Sequence, residues 1–318
     1  MTERRADTEG RSGADRRTGT VYESGGGVYT VVSDDGTRLE ASLRGRVKRE
    51  QRTGDRVVIG DEVRLSHEGG AWTIESVEPR RSELVRRGRG GRSAKILAAN
   101  LDRVFVIVSL RSPTASTQLV DRLLALVESS GIRPTLVLNK VDLPGAEDEV
   151  RRLVPLYEGI GYHVVVLSAA TGRGLPELHE EMCSGVSAFI GPSGAGKSSV
   201  LNRVDPELRL RTGELSAKTG TGRHTTVGSR LLPLACGGLV ADTPGFGDVG
   251  LWAVEPEAVA DCFPELAGPA AECRFRGCTH LHEPDCGVRE AVESGPIARS
   301  RYDSYVTLRA ESDSVTSY

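Results

Sequence analysis

The sequence predicts a multidomain chain. An α/β domain built around a phosphate-binding loop follows a small all-β barrel and precedes a small cysteine-rich helical module. Three observations predict this. Gly191-Pro192-Ser193-Gly194-Ala195-Gly196-Lys197-Ser198 fits G-x-x-x-x-G-K-[ST], with an apolar strand before it and a helix after it. Residues 18–78 hold short alternating stretches cut by glycine and aspartate turns. Cys273, Cys278, His280, His282 and Cys286 crowd one short segment.

The 318 residues suffice for two or three domains, and 38% hydrophobic with 27% charged residues permits an ordinary packed core. A net charge of -3 gives no global signal for nucleic acid, so any RNA-binding surface must be a local patch. No apolar run approaches the ~20 residues of a membrane span. The N-terminus carries no apolar signal-peptide core. Six cysteines in a chain this long fit a metal site better than a disulfide framework, and a cytoplasmic protein without membrane contact is expected.

In chain order, residues 1–17 mix arginines with acidic residues and read as a disordered arm. In 18–78, Gly19–Tyr22, Val28–Val32, Arg38–Leu43, Arg56–Ile59, Glu62–Leu65 and Ala71–Ile74 read as strands of an oligonucleotide-binding (OB)-like barrel. Arg44, Arg46, Lys48, Arg49 and Arg52 in one of its loops are an RNA footprint or a solvated loop of a structural barrel. Residues 79–97 read as a basic, glycine-rich linker with Arg80, Arg81, Arg86, Arg87, Arg89, Arg92 and Lys95. From 98 to 250, strands and helices alternate. Val104–Val108, Thr135–Leu138, His163–Leu167, Val186–Ile190 and Gly238–Ala241 are strands, with helices near Leu119–Val127, Glu147–Tyr157 and Pro176–Met182. That is a parallel sheet covered on both faces.

The phosphate loop binds a nucleoside triphosphate. Its backbone N–H groups and the helix N-terminus would wrap the phosphates. Lys197 would reach the β- and γ-phosphates, with Ser198 and the adjacent Ser199 at the helix start. The base is guanine. Asn139-Lys140-Val141-Asp142 follows a strand, where a carboxylate can accept from guanine N1–H and its 2-amino group while adenine offers neither donor. Ser168 and Ala169, after the next strand, would contact the guanine carbonyl. Asp242-Thr243-Pro244-Gly245 ends the last strand: Asp242 would hold Mg²⁺ with Ser198, and the Gly245 N–H would sense the γ-phosphate. Thr219–Thr226 has the composition of a γ-phosphate switch, with Thr226 or Thr225 as the Mg²⁺ ligand.

The guanine-reading motifs precede the phosphate loop, the reverse of the ordinary GTPase order. The chain closely resembles the circularly permuted, small-ribosomal-subunit-dependent GTPases of bacteria, the RsgA/YjeQ family. The resemblance rests on Asn139–Asp142, Gly191–Ser198, Gly222-Arg223-His224-Thr225-Thr226 and Asp242-Thr243-Pro244-Gly245-Phe246, in that order. It implies a circularly permuted P-loop GTPase domain that hydrolyses GTP to GDP. It also implies late maturation of the small (30S) subunit, contact with its rRNA through the flanking modules, and hydrolysis stimulated by the subunit. Phe246 stands where Ras-like enzymes carry a water-orienting glutamine, and a phenyl ring cannot hydrogen-bond water. His224 is the candidate catalytic residue beside Lys197, and the resemblance points to the same histidine. A purely structural role in the switch loop stays open.

Residues 251–318 read as a zinc-binding helical module and tail. Cys273, Cys278, His280 and Cys286 form a closed four-ligand set for one structural Zn²⁺. His282 competes for the fourth place, and the resemblance puts the ligand at 280. Cys183, Cys236 and Cys262 read as isolated core residues. Arg289, Arg299, Arg301 and Arg309 with Tyr302 and Tyr305 meet RNA or form an ordinary charged helix face. Residues 310–318 read as disordered, and the protein as a monomer. Two other readings stay open. One is an RNA-binding assembly factor in which GTP occupancy rather than turnover matters. The other is a metabolic GTP-dependent kinase, for which the sequence shows no acceptor site.

Overall fold

The computed structural model describes residues 15–45, 47, 56–87, 94–208, 210, 229–242 and 254–316. Five strands open it: β1 (Asp15–Gly25), β2 (Val28–Ser33), β3 (Arg38–Leu43), β4 (Glu62–Glu68) and β5 (Ala71–Val77). They run β1-β2-β3-β5-β4, and β4 pairs back onto β1, so the sheet closes into a barrel. Closure depends on the length of β1. Its first half pairs with β4 (Asp15↔His67 to Thr20↔Glu62), its second half with β2, with a register shift between Val21 and Glu23. Val21, Val31, Val63, Leu65 and Ile74, from alternate strand positions, fill the interior. This corrects two expectations. Asp15, Arg16 and Arg17 belong to the barrel and not to a disordered arm, because β4 needs that partner. Arg56–Ile59 is not a strand, since only Ile59 makes a bridge, to Ala98.

The segment expected as a flexible linker contains a hairpin, β6 (Glu83–Arg87) and β7 (Ala94–Ala99). Arg80 and Arg81, which precede the hairpin, have partners. Arg80 grips fully buried Asp61 with Nε and Nη2 at 2.7 and 3.0 Å and reaches Glu83 at 3.1 Å. Arg81 pairs with Asp102 at 3.0 Å. Asn100 donates to the Gly60 carbonyl at 2.9 Å and accepts from Arg81 N–H at 2.8 Å. These bonds join the barrel to the next domain through a built polar junction.

The second layer system is a six-stranded sheet in the order β10-β9-β8-β11-β13-β12. Its strands are β8 (Arg103–Ser109), β9 (Pro134–Asn139), β10 (His163–Val166), β11 (Val186–Ile190), β12 (Ser229–Pro233) and β13 (Leu239–Asp242). All are parallel except β12, which runs antiparallel to β13. Alternation along β8 divides the core. Val104, Val106 and Val108 face one cluster with helices α1 (Thr117–Glu128) and α2 (Ala146–Glu158). Phe105 and Ile107 face the other with α3 (Leu175–Met182) and α4 (Lys197–Val204). After β8 the chain moves outward through β9 and β10; after β11 it moves the other way to β13. The carboxyl ends of β8 and β11 therefore flank a switch point, where open α/β sheets bind ligands. At the far edge, β12 pairs with β1 (Glu23↔Arg230, Ser24↔Ser229), which stitches barrel and sheet together.

The C-terminal module holds short turns and helices α5 (Gly287–Ser294) and α6 (Arg299–Thr316). Its Phe263, Leu266, Val288, Ile297 and Tyr305 share one apolar cluster with α1 and α2. Arg301 is 1% exposed. It donates to Asp121 Oδ1 at 2.7 Å and to both oxygens of Glu265 at 2.6 and 3.1 Å, and Tyr157 donates to the same Asp121 oxygen at 2.7 Å. Arg309 reaches the Pro256 carbonyl at 2.7 Å. Arg301, Arg309, Tyr302 and Tyr305 are buried, so they form neither the RNA-stacking surface nor the ordinary charged helix face that the sequence left open. The tail expected as disordered from 310 is helical to Thr316, held in part by the Arg122–Glu311 pair at 2.5 Å. Cys262 is buried as expected, but Cys183 and Cys236 are half-buried and joined by a disulfide. Their separation of 53 residues hid the pairing. No helix among the described residues is long and apolar enough to cross a membrane.

Candidate functional site

The phosphate loop lies between β11 and α4, at the switch point. Lys197 and Ser198 open α4, and both are buried, at 4% and 5% exposed. The Lys197 ammonium donates to the Gly191 and Pro192 carbonyls at 2.7 and 3.0 Å, so it closes the loop on itself. Burial lowers its pKa to about 8. A charge held this way gains most from an anionic oxygen placed beside it.

Asn139 ends β9 and joins the Asn-Lys-x-Asp segment to the phosphate loop. Its amide donates to the Ala195 carbonyl of the phosphate loop at 2.8 Å. Its Oδ1 accepts from Lys140 N–H at 2.7 Å and from Ala169 N–H, in the loop after β10, at 3.2 Å. Gly196 is required at this crossing. Its φ is 95°, and a Cβ there would come within 2.3 Å of Asn139 Nδ2. Ser168 is buried and donates to Asp142 Oδ1 at 2.6 Å, while Asp142 itself is exposed. The Lys140 ammonium bonds the Ser112 carbonyl, in the loop after β8.

These groups surround a cavity of about 300 Å³, within the usual range for small-ligand sites. Asn139, Lys140, Asp142, Ala169, Gly196 and Ser199 line it together with Leu143 and Ala170. Val141 is buried and does not line it. The loops after β9, β10 and β11 thus converge from positions 139 to 199. Sequence reasoning did not single out Leu143 or the Ser112 carbonyl. Leu143, directly after the Asn-Lys-x-Asp motif, was findable as an apolar flank for a ring. A backbone acceptor carries no sequence signal.

Asp242 ends β13 and pairs with Arg230 at 3.0 Å, opposite it in the β12–β13 register. His224, Thr225, Thr226, Gly245 and Phe246 lie outside the described residues, as do Arg46, Lys48, Arg49, Arg52, Arg89 and Arg92.

In the C-terminal module, Cys273, Cys278, His280 and Cys286 bring their ligand atoms within 4.8 Å of one another. Cys273 Sγ and Cys286 Sγ are 3.8 Å apart, and each lies 3.5 Å from His280 Nδ1. Tetrahedral zinc with ordinary bond lengths requires edges of about 3.8 Å between sulfurs and about 3.5 Å between sulfur and nitrogen. The donor set therefore fits the ion. Burial lowers the His280 pKa, which favours the neutral, ligating imidazole. His282 is exposed and outside the cluster. Glu283 shapes the loop by accepting from Thr279 N–H at 2.8 Å and Leu281 N–H at 3.2 Å, and Tyr302 fixes the His280 carbonyl at 2.6 Å.

A phosphate loop in a parallel sheet, with an Asn-Lys-x-Asp strand end packed against it but placed earlier in the chain, defines a circularly permuted P-loop GTPase domain. Residues 77–252 match the RsgA GTPase family. The small ribosomal subunit biogenesis GTPase RsgA of Gemmatimonas aurantiaca is 43% identical over 298 residues, which cover 92% of this chain and 97% of that protein. Its counterpart in Moorella thermoacetica is 41% identical over 294 residues, covering 92% and 96%. The crystal structure of YjeQ from Thermotoga maritima matches with a TM-score of 0.77 at 36% identity, over 94% of this chain and 99% of that one. YloQ, described as a circularly permuted GTPase, matches at 0.74 and 27% identity, over 98% of each chain. The chain belongs to the RsgA GTPase family and is an enzyme that hydrolyses GTP.

Proposed function

We propose that this GTPase is a late maturation factor of the small ribosomal subunit. It binds rRNA through the flanking modules, and the subunit stimulates its hydrolysis. The observation that carries the nucleotide part is the Asn139–Ala195 bond, which couples the base-reading strand end to the phosphate loop across one cavity. The relatives' shared name, small ribosomal subunit biogenesis GTPase, supports the partner.

In this reading Asp142 accepts from guanine N1–H and the 2-amino group, with Ser168 holding its other edge. Ala169 meets the guanine carbonyl, and Lys140 with Leu143 flanks the ring. Backbone N–H groups from Gly191 to Ser199 cradle the phosphates, and Lys197 exchanges its loop carbonyls for phosphate oxygens. Mg²⁺, held by Ser198, Asp242 and Thr226 or Thr225, would neutralise charge on the phosphates. His224 orients the attacking water, since Phe246 cannot, and Gly245 N–H senses the γ-phosphate. Without its partner the site turns over slowly, which makes the enzyme a switch. Zn²⁺ on Cys273, Cys278, His280 and Cys286 is structural, because four protein ligands leave no open position.

Sedimentation of the full chain with purified ribosomal subunits tests the partner. The protein should pellet with small subunits in a non-hydrolysable GTP analogue and be largely released in GDP. Equal pelleting with large subunits, or none with small subunits in either nucleotide, would contradict the reading.

A further inference from the structure

A second cluster of thiophilic ligands lies away from the nucleotide cavity, at the opposite end of the parallel strands. His179 is on the last turn of α3, and Cys183 follows that helix. Cys236 sits in the turn from Leu234 to Gly238 between β12 and β13. The imidazole and both sulfurs lie within 4.8 Å of one another, with His179 Nδ1 3.6 Å from Cys183 Sγ. That distance matches the sulfur–nitrogen edge of a tetrahedral site, about 3.5 Å.

The meeting is built by the backbone. A Cβ on Gly238 would fall 1.8 Å from the Met182 carbonyl oxygen, so only glycine lets the turn rest on the end of α3. Leu239 N–H bonds the Gly185 carbonyl at 2.9 Å, and Gly237 N–H closes the turn on Leu234 at 3.0 Å. Beside Cys236 lies a cavity of about 340 Å³, lined also by His179, Asp205, Glu207 and Ala235. Asp205 is committed to backbone, accepting from Glu207 N–H at 3.0 Å and Ala235 N–H at 2.8 Å.

We propose that His179, Cys183 and Cys236 form a second metal site, which takes a thiophilic divalent cation of the zinc class when the Cys183–Cys236 disulfide is reduced. Reduction proceeds by exchange with a small cellular thiol. One thiolate attacks a disulfide sulfur and releases the other cysteine as thiolate; a second small thiol resolves the mixed disulfide and leaves as the oxidised small disulfide. The two protein thiols then give up two protons to solvent as the cation binds. Two sulfurs and one nitrogen would leave a fourth position for water or another ligand. In either state a tether joins α3 to the hairpin that carries β13 and Asp242, so the link survives a change of redox conditions.

The test counts metal on the full chain. Total bound Zn²⁺ plus Co²⁺ per chain is measured by elemental analysis after equilibration with Co²⁺, with and without a phosphine reductant. Thiol titration confirms the redox state. The reduced protein should hold one equivalent more than the oxidised protein, with sulfur-to-cobalt absorption in the near-ultraviolet. Cys183→Ser and Cys236→Ser should each abolish that difference, and His179→Ala should weaken the extra ion at least tenfold. The Cys3His cluster contributes equally to both states and cancels. Equal metal content in both states overturns the proposal, as does an extra equivalent that survives Cys183→Ser.

Discussion

Lys197 is an ammonium packed against two carbonyls, and burial lowers its pKa from 10.5 to about 8. Between pH 8 and 10.5 the unfolded chain holds the proton and the folded nucleotide-free chain does not, so stability rises with pH across that window. The gain is about 3 kcal/mol, fully present above pH 10.5 and lost as pH falls toward 8. Nucleotide binding has the opposite dependence, because phosphate oxygens favour the charged amine. GDP affinity should fall up to tenfold per pH unit above about 8. Fluorescence titrations from pH 7 to 10 measure this, and the same series on Lys197→Met corrects for ionisation of the base itself. Parallel curves for the two proteins would show that Lys197 does not hold the phosphates. Asn139 was only partly legible in the sequence. Its place in the motif was legible in the sequence, but its bond to Ala195 was not, because that contact spans 56 residues and ends on a backbone oxygen.

At the scale of elements, α6 is fixed to α1 by a buried charge. Arg301 satisfies Asp121 and Glu265 at once, so Arg301→Ala would leave two buried carboxylates without their cation. Loss of about 3–5 kcal/mol is expected, read as a lower denaturant midpoint, and an unchanged midpoint would refute the role. The loop carrying Cys273, Cys278, His280 and Cys286, with the proposed Zn²⁺ bound, would be the other fastening. Chelation of the ion should lower the thermal midpoint, and Cys278→Ser should reproduce the loss while removing one zinc equivalent. An unchanged midpoint after proven zinc loss would deny the metal a structural role. These elements show where sequence reasoning stopped. The buried parallel strands were legible because an unbroken apolar run, bounded by turn residues, must hide both faces of the strand from water. Strand β12 was missed: Arg230 and Pro233 interrupt its pattern, and an edge strand tolerates both. The junction before the β6–β7 hairpin was hidden by charge, since Arg80 and Arg81, which pair with Asp61 and Asp102 inside the fold, resemble arginines in solvent until their partners are known.

For the whole molecule, the permuted order has a structural consequence. The chain leaves the barrel through β7, enters the sheet at β8, and returns to the barrel wall through the β1–β12 pairing. On the other side, the C-terminal module shares an apolar core with α1 and α2. Both flanking modules are therefore built onto the domain that reads the nucleotide, so a surface gripping the outer modules bears on the site between them. We propose that a small ribosomal subunit completes this GTPase. The direct measurement is steady-state hydrolysis by the full chain, with and without purified small subunits, using ATP as control. GTP turnover should be slow alone and rise at least tenfold with the subunit, with ATP unaffected. Equal GTP turnover with and without the subunit would contradict it.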